Sequence, residues 1–182
     1  MIALLLAGAT SAQTWTLDKS HAKLGFGITH LMISDVEGDF KKVDATITSS
    51  KEDFSDAVIE LKGDVTSINT ENEDRDKHLK GSDFFDVEKF ATLTFKSTSF
   101  KKVEGKKYKL TGDLTLHGVT KQVVLDAIVN GPVVHPYNKK TIAGFKFTGT
   151  IKRSDFGIGA KYPGAVLSEE VVITANGEFV KG

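Results

Sequence analysis

Apolar and polar residues alternate with a period of two along most of this chain. In residues 107–116, for example, Tyr108, Leu110 and Leu114 alternate with lysine, threonine and aspartate. Alternation of this kind predicts β-strands that have one buried and one solvated face, and roughly eight or nine segments between Trp15 and Phe179 show it.

A sheet with one apolar face is typically antiparallel, and closing it into a barrel removes its exposed edges. The pattern therefore predicts an all-β fold, an antiparallel β-barrel of about eight strands, whose interior has room for core side chains or for one small ligand. Glycines on the inward faces either leave space inside or permit bends. They are Gly63, Gly112, Gly149 and Gly177.

Residues 70–79 break the alternation and are mostly polar. Thr70 followed by Glu73 has the spacing of a capping box, and acidic residues fill the first turn, where the helix dipole favours them. Gly81 can end the helix. We expect one short helix that caps an end of the barrel, followed by Phe84 and Phe85, which plug or line that end.

The inward faces supply the candidate ligand-binding residues. Ten apolar side chains are expected to line an interior tunnel: Phe26, Ile28, Phe84, Phe85, Phe95, Leu114, Leu116, Phe145, Phe147 and Ile151. His30 and Arg153 continue apolar faces near strand ends and are candidates for contact with a polar head group. The alternative for Arg153 is an ion pair with Asp155 or another acid, because a buried arginine usually has a structural partner.

Composition narrows the function. The 182 residues suit one domain, and 24 basic residues balance 24 acidic ones, so nothing favours a nucleic-acid partner. The absence of cysteine excludes thiol catalysis, zinc–thiolate sites and disulfides.

Residues 1–12 form an apolar run that ends in small residues, as in the distal part of a secretory signal peptide. The run is too short for a transmembrane segment, which needs about 20 residues. We expect a mature chain of residues 13–182 in the periplasm or secreted.

The sequence contains only weak indications of catalysis. Five histidines are present, but no pair has the spacing of a metal site on one element, so no metal is expected. An enzyme acting on a lipid through His30, His78 or Asp155 remains an alternative, and it requires these side chains to converge.

Seven stretches, in order along the chain, resemble the YceI family of polyisoprenoid-binding periplasmic proteins. They are WTLDKSH (15–21), GFGITHLM (25–32), SINT (67–70), RDKHLK (75–80), DFFD (83–86), GDLTLHGVTK (112–121) and RSDFG (153–157).

The resemblance implies a lipocalin-like barrel over residues 13–182 with a helix across one end. It implies a long tunnel that binds, stores or transports a polyisoprenoid, an isoprenoid quinone or a fatty amide in the cell envelope. It implies no catalytic residues and no other cofactor, and it allows a homodimer. A ligand-free structural or stress-response barrel, filled by residues such as Phe26 and Phe95, is the remaining alternative.

Overall fold

A computed structural model describes residues 11–182, so most of the predicted signal segment lies outside the described residues. Residues 11–182 form ten strands and one α-helix in the order β1 (Gln13–His30), β2 (Ser34–Phe40), β3 (Val43–Ser49), β4 (Val58–Asp64), β5 (Ile68–Asn69), α1 (Glu73–Lys80), β6 (Thr92–Glu104), β7 (Lys107–Leu116), β8 (Val119–Val134), β9 (Thr141–Lys152) and β10 (Leu167–Lys181). Among residues 11–182, no helix is long and apolar enough to cross a membrane.

Eight of the strands close an antiparallel barrel, which confirms the predicted fold class. The order around the barrel is β1, β3, β4, β6, β7, β8, β9 and β10, and β10 returns to pair with β1. The remaining strands, β2 and β5, continue the sheet at one end.

Strand β1 changes partners along its length. Its first residues, from Gln13 to Thr16, pair with β3, whereas Leu24 to His30 pair with β2. Strand β2 in turn carries the short β5, and the ladder between β4 and β6 ends at Asp64. In the described part of the chain, no strand pairing joins β5 to β6, and α1 lies against β5 at this gap.

The interior consists of two apolar clusters, one at each end of the barrel. The closed half, as we call it, is rich in aromatic side chains. Phe54, from the β3–β4 loop, plugs this end and is only 1% exposed. Its ring centroid lies 5.0 Å from that of Trp15 and 5.1 Å from that of Phe145. The open half lies at the other end, beside α1, and its cluster includes Leu24, Phe40 and Leu116.

The inward-facing glycines provide space that neighbouring side chains then occupy. A Cβ atom at any of these positions would meet a neighbouring side chain at close range. The pairs are Leu93 beside Gly63, Phe95 beside Gly112, Leu125 beside Gly149 and Leu17 beside Gly177. Most of the space beside these glycines therefore serves packing and does not form a tunnel.

Helix α1 begins later than the sequence predicts. Its N-cap is Asn72, whose side chain accepts a hydrogen bond from the Arg75 backbone N–H, so the prediction of a Thr70 cap was wrong. Thr70 is instead buried, and its hydroxyl donates to Asp76 Oδ1 at 2.6 Å. Gly81 ends the helix as predicted.

Candidate functional site

A cavity of about 340 Å³ occupies the open half of the barrel. Strands β1, β2 and β10 form much of its apolar wall through Phe26, Ile28, Val36, Phe40, Leu167, Val171 and Ile173. Residues 75–85 and 153–166 supply the rest of one end, including Leu79, Phe84, Phe85 and Ile158. The volume lies at the lower end of the range for small-molecule pockets, about 300–1,000 Å³.

The structure brings six of the ten predicted apolar residues to this cavity: Phe26, Ile28, Phe84, Phe85, Leu116 and Ile151. The other four do not line it. Phe95, Phe145 and Phe147 are buried in the closed half, and Leu114 packs against both clusters. Alternation identifies the face of a strand that points inward, but it does not say how far along the barrel a hollow extends, and this is why only six of the ten residues line this cavity.

Several cavity residues were missed as site residues. Val171 and Ile173 follow the alternation of β10, so their inward direction was readable from the sequence. Ile158, Tyr162 and Val166 come from the connection between β9 and β10, where no periodic signal exists.

Arg153 organises the loop at the cavity mouth. Its side chain is buried, and Nη2 pairs with Glu169 Oε1 at 2.8 Å. The guanidinium also donates to five backbone oxygens at 2.6–3.2 Å, those of Ile158, Gly159, Tyr162, Leu167 and Ser168. A guanidinium has five N–H groups, so these partners use all of its donors. These contacts agree with the structural alternative for Arg153, with Glu169 and not Asp155 as the acid, and Arg153 also lines the cavity.

The polar groups at the cavity come mainly from α1 and the loop facing it. Arg75 donates from Nε to Thr70 Oγ1 at 2.8 Å and from Nη2 to the Thr70 backbone oxygen at 2.6 Å. Within residues 11–182, Arg75 Nη1 makes no hydrogen bond. His78 Nε2 lies 3.3 Å from the Tyr162 hydroxyl, and His30 faces the same cavity from the end of β1. Because His78 is exposed and also lines the cavity, this polar group marks the mouth.

Two segments that close the mouth are joined to each other. The ring of Phe84 stacks on that of Tyr162 at 5.1 Å between centroids. The Gly159 backbone N–H donates to the Asp83 backbone oxygen at 3.1 Å, and Lys161 pairs with the Asp83 carboxylate. The segment that follows α1 and the loop of residues 157–164 therefore form one continuous wall at the mouth.

The candidate catalytic residues converge only in part. His30 and His78 line the cavity, but Asp155 does not. Among the described residues, no carboxylate lines the cavity, so neither histidine has an acid there to orient it.

A different group of potential metal ligands does converge, at the closed end. One ligand atom each from Asp18, His21 and Glu178 lies within 4.8 Å of the others. Hydrogen bonds from Ser20 and His21 lower the pKa of Asp18 to about 2, and Asp18 and Glu178 raise the pKa of His21. The group is at least half exposed at His21 and behaves as a surface ion-pair network in the structure.

Known proteins match the chain along nearly its whole length. The family model of the YceI-like domain matches residues 15–179. Protein YceI of Salmonella newport (strain SL254) is 38% identical over 176 residues, covering 96% of this chain and 91% of that protein.

Solved structures of related proteins have the same fold as this chain. The YceI protein of Campylobacter jejuni is 37% identical, with a TM-score of 0.75 over 91% of this chain and 96% of its own. A polyisoprenoid binding domain from Saccharophagus degradans has the same fold, with a TM-score of 0.69 over 92% of this chain and 98% of its own at 16% identity. The sequence and structural matches together establish that the chain belongs to the YceI-like family.

Proposed function

We propose that the protein binds one lipid with an apolar tail in the cavity of the open half, and stores or carries it without changing it chemically. The candidate ligands are a polyisoprenoid, an isoprenoid quinone or a fatty amide. The observation that carries the proposal is the cavity itself, about 340 Å³ in volume, with apolar walls and its polar groups gathered at the mouth.

The apolar walls of the cavity supply the contacts that an apolar tail needs. Each methylene group moved from water into an apolar site contributes about 0.8 kcal/mol before the entropy cost of binding. Few polar contacts are then required, and His30, His78, Arg75 and Tyr162 can provide them to a head group at the mouth. The description of the related domain from S. degradans as polyisoprenoid binding supports the same ligand class.

Catalysis is the competing proposal. His30 and His78 favour it because they share the cavity. Binding alone is the better-supported function, since no carboxylate among residues 11–182 lines the cavity beside them. We also propose an envelope location, periplasmic or secreted, on the basis of the apolar run in residues 1–12.

A matched pair of variants on β10 tests the binding site. Val171 lines the cavity, whereas its neighbour Val172 lies on the outer face and is 49% exposed. Val171→Trp should fill the cavity and lower affinity for radiolabelled farnesol at least ~10-fold in equilibrium dialysis, because the tail loses its apolar contacts. Val172→Trp should bind as the unmodified protein does.

Equal binding by both variants would place the ligand elsewhere and overturn the proposed site. Extraction of protein purified from its natural host, followed by mass spectrometry, should in addition release one lipid of the proposed classes. Conversion of that lipid to a product during incubation with the protein would favour the enzyme.

A further inference from the structure

The charges of this neutral chain are unevenly distributed around the barrel. Residues 92–152, which form β6 to β9 and the turns between them, contain eleven lysines and three acidic residues, a net charge of +8. The rest of the chain contains 13 basic and 21 acidic residues, a net charge of −8. Because these four strands are consecutive neighbours in the sheet, the lysines lie on one half of the barrel wall. We call the outer surface of residues 92–152 the basic face.

Most of these lysines are not neutralised by an acid of the same chain. All eleven are exposed. Within residues 11–182, three of them form ion pairs, with Glu60, Asp53 and Asp126, and the other eight form none. A surface with this excess of exposed positive charge attracts anionic partners.

Exposed apolar side chains lie among the lysines. Ile128 of β8 points outward and is 42% exposed, and its partners in register are Lys107 of β7 and Lys146 of β9. Side chains in register lie about 5 Å apart at Cβ. The outer wall therefore presents an aliphatic side chain that has an ammonium group on each side.

The β8–β9 hairpin continues this combination toward the closed end. Strand β7 does not reach so far, and within residues 11–182 Val133 and Val134 pair only with β9. They are 56% and 62% exposed, and the turn between the two strands carries Tyr137, which is 89% exposed. Lys139 and Lys140 follow in the same turn. Tyrosine and aliphatic side chains flanked by lysines are typical of surfaces that contact the membrane–water interface.

We propose that the basic face docks the protein on an anionic lipid surface. The lysines lie against the head groups, and Ile128, Val134 and Tyr137 contact the interface, where these side chains gain by leaving water. The inference goes beyond the proposed lipid cavity and does not depend on it, because none of these side chains lines the cavity.

Two other anionic partners fit the basic face less well. Its eleven basic residues are all lysines, whereas directed recognition of phosphate groups in nucleic acids favours the planar fork of arginine. The acidic remainder of a second copy could also approach it, but a contact between different surfaces of two copies does not close and leads to open chains.

Binding of the full chain to vesicles tests the proposal. At 0.1 M NaCl, co-sedimentation should show at least ~20-fold tighter binding to vesicles of equal parts phosphatidylglycerol and phosphatidylcholine than to phosphatidylcholine alone. In 1 M NaCL the Debye length falls from about 10 Å to about 3 Å, so the difference should shrink below ~3-fold. Equal binding to both vesicles at 0.1 M NaCl would overturn the proposal. If a DNA duplex or a second copy of the chain binds while the vesicles do not, the basic face belongs to that partner and the proposal is wrong.

Two double variants with the same change in net charge locate the docking surface. Lys107→Glu/Lys146→Glu reverses both charges beside Ile128 and should weaken binding to the anionic vesicles at least ~10-fold. Lys23→Glu/Lys77→Glu changes exposed lysines of β1 and α1, outside the basic face, and should weaken it less than ~3-fold. Equal weakening by the two double variants would show that only net charge matters and would reject the basic face.

Variants in the hairpin turn keep the test decisive if the strand variant folds poorly. Lys139→Glu/Lys140→Glu should weaken vesicle binding at least ~10-fold, and Tyr137→Ala at least ~3-fold, because the ring no longer enters the interface. Unchanged vesicle binding in all of these variants would overturn the proposal. Farnesol binding should stay as in the unmodified protein, since none of the changed residues lines the cavity. Failure of the unmodified protein to bind farnesol would reject the proposed function and leave the vesicle result untouched.

Discussion

The ring of Phe95 lies over Gly112 inside the closed half of the barrel. A methyl group at position 112 would stand 2.6 Å from Cε2 of that ring and 2.6 Å from the backbone oxygen of Lys96. The glycine is therefore required by close approach of a side chain and of a neighbouring strand, and not by an unusual backbone angle.

Gly112→Ala should lower the free energy of unfolding by about 1–3 kcal/mol, because the added methyl group overpacks the core. Urea unfolding followed by circular dichroism measures the change. Gly27→Ala is the control, since no atom lies within 4 Å of a Cβ at that position and its stability should change little. Equal effects at the two glycines would contradict the packing argument.

Phe54→Ala should lower the free energy of unfolding by about 3–5 kcal/mol, because a fully buried aromatic side chain is replaced by a cavity. Thermal and urea unfolding measure the loss. Val103→Ala should change stability by less than about 0.5 kcal/mol, since Val103 is 65% exposed. A cost below about 1 kcal/mol at Phe54 would mean that the β3–β4 loop does not plug the closed half.

Asp56 makes the same loop sensitive to acid. Burial tends to raise the pKa of Asp56, but hydrogen bonds from Ser49, Ser50 and the Lys51 backbone outweigh it and hold the pKa well below the usual value. The native state therefore binds fewer protons at this site than the unfolded state, and acid favours unfolding. The stabilisation is complete above about pH 5 and is lost as the pH falls toward the native pKa.

Asp56→Asn should accordingly destabilise the protein at pH 7, and the difference from the unmodified protein should shrink at pH 3. Urea midpoints at the two pH values measure both differences. A difference that stays constant between pH 7 and pH 3 would show that the carboxylate charge is not the cause.

Arg153→Lys should lower the free energy of unfolding by at least ~2 kcal/mol, because one ammonium cannot satisfy the carbonyl oxygens that the guanidinium holds. Amide hydrogen exchange should speed up in residues 157–168. Glu169→Gln keeps the arginine and its backbone contacts, so it should cost less than about 1 kcal/mol. Larger damage from Glu169→Gln than from Arg153→Lys would assign the stabilisation to the ion pair.

Most of the barrel could be predicted from the sequence, but only part of the candidate site could be. Strands such as β7 and β9 alternate strictly, since each residue faces either core or water, and the inward set could be listed residue by residue. The filling of the barrel interior could not be predicted in this way, because it depends on which aromatic ring packs over which glycine of a neighbouring strand. Phe95 and Phe26 have the same pattern in the sequence, yet one fills the closed half and the other lines the cavity.

The sequence also did not predict hydrogen-bond and ion-pair partners that the fold brings together from different loops. Asp155 is adjacent to Arg153 in sequence, but Glu169 reaches the guanidinium from the far side of the connection to β10. Thr70 has the spacing of a helix cap, but in the fold its hydroxyl donates a hydrogen bond to Asp76 and accepts one from Arg75. In each case the observed contact joins residues that only the fold brings together, in place of the contact predicted between neighbours in the sequence.

Because β1 changes its strand partners, part of the wall of the open half has no strand pairing. Between β5 and β6 the wall of the open half is made by side chains of residues 73–91 and not by a backbone ladder. Displacing that wall would expose the interior while every inter-strand hydrogen bond stays in place. Under the proposed function, a lipid would therefore enter and leave by local opening of this wall, and the barrier to loading would be separate from the stability of the closed half.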